Sequence, residues 1–372
     1  MAVVESLTVH HRRIALVRPF VTAVRSATAI DVVLVEARDS DGRSGWGEAP
    51  SSWRVTGESP QSVSAAVEGP LTEAALGRPV EDPAGTSALL ARSLVRNSAA
   101  RMAVDCALYD LAAQASGVPL YRYLGGEPGN VRTDMTLSAG LRGDDENALL
   151  ATALQHRNAG FGTLKVKVGA GGDDLSVMRR VRAEVGAAVH LRVDANQGWS
   201  AEQAVSVISA WEDEGLGIEM VEQPVAMDDL DALEFVTRNV QTPVLADEAV
   251  WTTRDLTEVL RLRAADMINI KLAKCGGLRE ALRMAEVARQ NGVLVIVGCM
   301  MESHVGISAA ASLASALETT QASTPGTAHD LDAGLWLKAS PITGGAAYRQ
   351  DVVRLPEAAG LGIAELTAAP RE

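Results

Sequence analysis

The chain has 372 residues, 47% of them hydrophobic, and a formal net charge of −13. That length leaves room for about two domains, and a barrel of roughly 250 residues could take most of it. No run of about 18 uncharged apolar residues occurs, Met1-Ala2-Val3-Val4-Glu5 lacks the layout of a signal peptide, and the acidic balance disfavours nucleic acid and anionic membranes, so a soluble, cytoplasmic protein acting on a small molecule is expected.

Cys106, Cys275 and Cys299 are odd in number and far apart, which excludes a disulfide framework and a Cys-x-x-Cys metal site. The N-terminal part reads as α+β. Val3 to Leu7, Ile30 to Ala37 and Gly45 to Glu48 have strand character, the last two joined across Asp41-Gly42, a dipeptide suited to a tight hairpin. Val17 to Ser26 shows no clear period and is expected to be a loop, with a second loop from Ala49 through Trp53 to Gly57. Ser59-Pro60 starts a helix; Ala100, Ala103, Val104, Ala107, Leu108, Leu111 and Ala112 recur at helical spacing until Gly117 and Pro119. Gly125 to Asn130 reads as a linker.

Beyond it, strand and helix patterns alternate every roughly 25 to 30 residues, the length of one parallel βα unit. Strand-like runs end near Ser138, Lys167, Asp194, Glu222, Asp247, Lys271, Val297 and Asp330. Ser200-x-x-Gln203 forms a capping box, and Asn158 with Gly160 closes another helix. Eight units favour a closed barrel over an open sheet. The expected class is α/β, a modified (β/α)8 barrel over residues 126–335, with an α+β capping domain over 1–125. Residues 336–372 form a C-terminal segment whose alternation from Gly344 to Pro356 predicts a return to the N-terminal sheet.

Asp194, Glu222 and Asp247 each fall at the C-terminal end of consecutive strands, the end that carries catalytic groups in such barrels. Each alone could be a helix cap or a solvated loop acid. Together they would repel one another without a neutralising charge, and an all-oxygen set suits Mg²⁺ first and Mn²⁺ second, with Asn196 and Glu248 orienting the ligands. Lys165 and Lys167 alternate onto one face of a strand, and Lys271 stands about four strands further round, on the opposite wall. It could serve in a structural ion pair, or offer an acid/base group to the second face of a bound substrate. A lysine base needs a lowered pKa, and repulsion between Lys165 and Lys167 could provide it.

These residues, Lys-x-Lys, then Asp, Glu, Asp, then Lys, resemble the muconate lactonizing enzyme subgroup of the enolase superfamily, most of all its dipeptide epimerases of the L-Ala-D/L-Glu type. The resemblance implies one Mg²⁺ per subunit, a homo-oligomer, and 1,1-proton transfer at the α-carbon of a dipeptide's C-terminal residue through an enediolate. Lys167 and Lys271 would be the two acid/base groups and Lys165 would stabilise the enediolate. Asp330 and Asp332, in Ala328-His329-Asp330-Leu331-Asp332, look like the pair that holds the substrate ammonium. Arg25, Trp53, Thr136, Met300 and Glu302 would contact substrate, Arg25 pairing with a glutamate side chain. N-acylamino acid racemase or o-succinylbenzoate synthase activity on the same frame stays open, as does a catalytically silent barrel that binds a metal and a peptide. Cys275-Gly276-Gly277 near a helix start raises a phosphate site, although glycine there is equally a turn requirement.

Overall fold

The computed structural model describes residues 1–21, 26–127, 130–138 and 146–367. Three antiparallel strands open the chain in the order β1 (Val4–Val21), β2 (Ser26–Asp39) and β3 (Ser44–Pro50). The hairpin between β2 and β3 turns where expected: Gly42 takes φ +84°, and one Asp39 carboxylate oxygen accepts the Asp41 and Arg43 amides. β1 runs far beyond Leu7. The segment expected to be a loop from Val17 continues as strand to Val21, because Leu16 and Phe20 keep the inward face and the Phe20 ring stands edge-on to Trp336 at 4.8 Å. A tertiary contact thus fixes a stretch with no clear period of its own. Arg25 lies outside the described residues.

Val33, Val35 and Ala37 on one face of β2 pack against a helical layer, whereas Val32 and Leu34 on the other join the core shared with the barrel. That layer includes Pro60–Ala66, capped by a Ser59/Ser62 box, and Ser98–Ala115, which is buried on almost every side. Small residues let β3 and this long helix touch: a Cβ on Gly47 would collide with the Ala103 carbonyl. Asp110 on the same helix is fully buried and joins three parts of the chain. It accepts the Trp46 amide at 2.8 Å, the Leu361 amide at 2.7 Å and the Gln114 side chain at 3.1 Å.

The barrel follows. Strands β4 (Asn130–Thr133) and β5 (Met135–Leu137) lead into β6 (Thr163–Lys167), β7 (His190–Asp194), β8 (Ile218–Glu222), β9 (Val244–Ala246), β10 (Met267–Lys271) and β11 (Leu294–Gly298). β5 to β11 form one parallel sheet, each strand followed by a helix, from Glu146–Asn158 to His304–Thr319. The eighth strand, β12 (Ala328–His329), is only two residues long, pairs with β4 and meets β11 at a single bridge between Gly298 and Asp330. Behind it comes a 3₁₀ turn, Ala333–Trp336, in place of a long helix. Met220, Leu245 and Ile296 form a separate small cluster within the barrel strands, consistent with a packed interior.

The tail corrects one expectation. The hairpin β14 (Ala347–Arg349) and β15 (Val352–Arg354) pairs through β15 with β4, not with the N-terminal sheet, while β13 (Ile342–Gly344) pairs with β16 (Ile363–Leu366). β4 offers an open edge beside β12, and short alternating strands carry no address for which edge they join. The cap is met elsewhere, at a bridge between Leu16 and Leu337 and where the Lys338 amide donates to the Ala15 carbonyl at 2.9 Å. No helix of the described residues is long and apolar enough to cross a membrane.

Asp110→Ala should leave the buried Trp46 and Leu361 amides without acceptors and cost about 2–4 kcal/mol, read as a lower urea midpoint at unchanged slope.

Candidate active site

Register levels the functional side chains. Lys167 pairs with Asp194 and Asp194 with Glu222 across β6, β7 and β8; Lys271 pairs with Gly298 across β10 and β11, and Gly298 bridges to Asp330, the residue after β12. In parallel strands, residues at one level that share a face converge, so these charges meet at the C-terminal mouth of the barrel.

Lys165 is 1% exposed and its ammonium lies 2.7 Å from Glu222 Oε2, 2.9 Å from Asp330 Oδ2 and 3.0 Å from Asp194 Oδ2. Lys167 reaches the same Asp194 oxygen at 2.6 Å. Opposite, Lys271 bonds Asp247 Oδ2 at 2.8 Å and approaches Asp330 Oδ2 at 3.8 Å. The structural ion pair considered for Lys271 is therefore present, at the mouth of a cavity that it also lines. Asn196 donates to Glu248 Oε1 at 3.2 Å, and its amide donates to Asp194 Oδ1 at 2.9 Å, so both residues expected around the carboxylates are there.

Carboxylates dominate the electrostatics of Lys165 and Lys271. Burial works against the charge on Lys165, but Asp330, Glu222 and Asp194 outweigh it and hold that pKa well above the usual range. Lys271 is likewise opposed by burial and held high by Asp247, Asp330 and Glu222. Carboxylates within ion-pair reach dominate repulsion between lysines. Among the acids, burial raises Asp194 but Lys167 and Lys165 bring it down to about 2. Burial and the charge of Asp194 push Glu222 up to about 8, and burial with Asp247 and Asp194 pushes Glu248 up to about 6. Among the described residues no three acidic, histidine or cysteine side chains stand as a ready metal cage, because each carboxylate is drawn to an ammonium group.

A cavity of about 230 Å³ lies between barrel and cap, lined by Lys167, Lys271, Asp247, Glu248, Asp330, Asp332, Thr136 and Met300 among others. Asp332 Oδ2 accepts the Thr136 amide at 2.8 Å and the Trp336 indole N–H at 3.0 Å, so both flanking elements fix it. Two expected contacts fail. Trp53 is 73% exposed and does not line the cavity; its neighbours Arg54 and Val55 do. Glu302 is buried and does not line the cavity: its Oε1 accepts the Met300 amide at 2.8 Å, and burial together with Glu48 pushes its carboxyl up to about 8. Glu48, from β3, accepts the Ser303 and Gly306 amides at 2.7 and 2.9 Å, capping the helix His304–Thr319 from the other domain.

Other residues of the site carried no obvious signal. Lys274, buried one turn after Lys271, bonds Asp247 Oδ1 at 2.6 Å and the Asn269 carbonyl at 3.0 Å, and also reaches the Asp247 carbonyl. Asn269 donates to Glu222 Oε1 at 3.2 Å. Gln223 turns its side-chain oxygen to the Asp247 and Ala249 amides, both at 3.0 Å. The Lys271-x-x-Lys274 spacing across a strand-to-helix junction could have flagged the first; period alone could not flag the others.

Such an arrangement can move a proton between two lysines on opposite walls while cations and carboxylates hold the rest of a charged substrate. Comparison with known proteins decides the family. The N-terminal domain of mandelate racemase / muconate lactonizing enzyme matches residues 4–125, and the enolase C-terminal domain-like family matches residues 148–366. The chain belongs to the enolase superfamily. It is 41% identical over 355 residues to the L-Ala-D/L-Glu epimerase of Bacillus subtilis, covering 94% of this chain and 93% of that one. A solved substrate-liganded complex of the B. subtilis L-Ala-D/L-Glu epimerase superposes with a TM-score of 0.93 at 38% identity, covering 98% and 100% of the two chains. A dipeptide epimerase from Enterococcus faecalis, solved with Mg and L-Leu-L-Tyr, gives a TM-score of 0.90 at 35% identity over 97% and 99%. The N-succinyl-L-Arg/Lys racemase of Bacillus cereus is 30% identical over 353 residues, 94% and 92% of the chains. This member of the superfamily is accordingly an isomerase of the racemase and epimerase kind.

Its site depends on one glycine. A Cβ on Gly298 would lie 2.8 Å from Lys271 Cε and crowd the Asn269 amide. Gly298→Ala should fold yet lose roughly 100-fold in turnover as Lys271 is displaced, measured as α-proton exchange against an unchanged circular dichroism spectrum.

Proposed function

We propose that the protein is a dipeptide epimerase that moves the α-proton of the C-terminal residue from one face to the other. The observation that carries this reading is the pair Lys167 and Lys271, on β6 and β10, four strands apart in the sheet order and lining one cavity. One lysine removes the proton and the other returns one to the opposite face, so either epimer can serve as substrate. Lys165, fully buried among carboxylates, faces the negative charge that develops on the substrate carboxylate.

One Mg²⁺ per subunit, with Mn²⁺ as substitute, suits Asp194, Glu222 and Asp247. The donors are hard oxygens at three neighbouring strand ends; Glu222, pushed up to about 8 by burial and Asp194, marks a shortage of positive charge; and Glu248 Oε2, beside them, has no hydrogen-bond partner. When bound, such a cation polarises the substrate carboxylate and acidifies its α-carbon. Asp330 and Asp332 hold the substrate ammonium, with Asp332 set by Thr136 and Trp336. Arg54 is a cavity-lining cation with no carboxylate partner among the described residues, and this favours a glutamate side chain in the position next to the cap, that is, L-Ala-D/L-Glu epimerisation. Phe20, Val55 and Met227 beside it give the methylenes of that side chain an apolar wall.

Incubation with a dipeptide panel and Mg²⁺ in D₂O tests the reading. Deuterium should enter the α-carbon of Ala-Glu in preference to hydrophobic or cationic dipeptides, and N-acylated glutamate should exchange poorly. No exchange with any dipeptide would indicate the silent barrel, and preference for the acylated amino acid the racemase reading. Lys271→Ala should cut epimerisation by at least roughly 10³-fold while the protein stays folded, so full activity in that variant rules out the two-base scheme. Arg54→Leu should narrow the preference for Ala-Glu over Ala-Leu by roughly tenfold, read from kcat/KM.

A further inference from the structure

Arg192 is 1% exposed, lies within the barrel strands and takes no part in the chemistry above. It is the register partner of Lys165. Its Nε donates to Glu219 Oε2 at 2.8 Å, and Nη2 reaches Glu219 Oε1 and Thr327 Oγ1, each at 3.3 Å. Nη1 donates to the Ala328 carbonyl at 2.5 Å and meets Asp134 Oδ2 at 3.3 Å. In the sheet order β6 and the β4–β5 run separate β7 from β12, so this guanidinium reaches past two neighbours to grip the last strand.

That strand needs a grip. β12 has two residues, and it leads directly into Asp330 and Asp332 with no long helix behind to hold it. Beyond its short pairing with β4, the segment is tied by the Asp134 amide to the His329 carbonyl at 2.8 Å, by the Asp330 amide to the Val297 carbonyl at 3.0 Å and by the Cys299 amide to the Asp330 carbonyl at 2.9 Å, while the Leu331 amide donates to Thr133 Oγ1 at 3.0 Å. Lys165 holds Asp330 by its carboxylate at 2.9 Å; Arg192, beside it in register, holds Ala328 by its carbonyl. Two neighbouring cations therefore fix the same segment at points two residues apart. Only a planar fork with five donors can serve Glu219, Asp134, Thr327 and Ala328 together, which a lysine at the same place cannot.

We infer that Arg192, oriented from outside by Glu219, is a positioning residue that sets the Asp330–Asp332 segment against the substrate ammonium. The inference rests on the reading of those two carboxylates as the amine site. A loosened β12 weakens the hold on the amine far more than the proton transfer, which takes place between Lys167 and Lys271.

Two variants and two ligands test it. Arg192→Lys keeps a buried cation but loses the fork; Glu219→Ala acts at the partly exposed end of the same network and leaves Arg192 in place. The ligands are L-Ala-L-Glu and N-propionyl-L-glutamate, which differ only in the ammonium group, and binding is followed by isothermal titration calorimetry in the presence of Mg²⁺. Arg192→Lys should weaken the dipeptide roughly tenfold and raise its KM in step with kcat nearly unchanged, Glu219→Ala should do so a few-fold, and neither should alter the affinity for the propionyl compound. Equal weakening of both ligands, or of neither, overturns the inference. Thermal melts identify a variant that fails to fold, and Glu219→Ala then decides the matter alone. If the wild type exchanges no dipeptide at all, the functional reading fails and takes this inference with it; exchange by the wild type with no ligand discrimination by the variants overturns this inference and spares the reading.

Discussion

Lys165 among three carboxylates is the interaction on which the site depends. An ammonium group 2.7 to 3.0 Å from Glu222, Asp330 and Asp194, with almost no exposure, could not exist without them, and neither could they without it. Removing one member of such a set leaves an uncompensated buried charge at a cost of about 3–5 kcal/mol, so the network constrains sequence at several strands together. It also constrains geometry. Asp194, Glu222 and Asp330 come from β7, β8 and the residue after β12, which lie on different sides of β6, and only a sheet curled almost to closure brings them to one lysine.

The cap completes what the barrel begins. Glu48 crosses from β3 to cap the helix after β11, and Asp110 ties β3 and the tail to the long helix between them. Phe20 on β1 packs against Trp336, whose indole N–H in turn fixes Asp332. The Asp332 carboxylate is thus positioned in part from the other domain. Phe20 lines the cavity with Arg54 and Val55, so the wall given by the N-terminal domain is separate from Lys167 and Lys271 on the barrel strands.

What could be read from the sequence followed from periods and ends. Lys165 and Lys167 alternate onto one face because a strand has period two, and acids just past successive strand runs have to lie near one level in a parallel barrel. Directions outside regular elements have no such rule. Trp53 is exposed and Arg54 lines the cavity, although either order suits the loop's composition, and Glu302 is buried on the Met300 amide, although it closely follows a strand. β1 was legible only to Leu7 because its outer half is specified by Trp336, more than three hundred residues away in the chain. The surroundings of Lys165 were hidden in the sequence for a similar reason. Two lysines adjacent on a strand suggest repulsion, while the acids that outweigh it arrive from strands whose proximity appears only in three dimensions.

The sign of the pKa shift at Lys271 bears on how a lysine here can become a base. Lys271 is held protonated chiefly by Asp247, against burial that favours the neutral amine. Burial remains whatever the carboxylate does. A partner that claimed Asp247 would remove the largest force keeping the proton on Lys271 and leave the force that releases it, and Lys274, bonded to the other Asp247 oxygen, would keep that carboxylate in place meanwhile. In that arrangement Lys271 rests as an ammonium group, and occupation of Asp247 would favour its neutral form. Loss of the Lys271 proton would then be tied to a filled site, since the same carboxylate that holds the proton is the one a bound partner would claim.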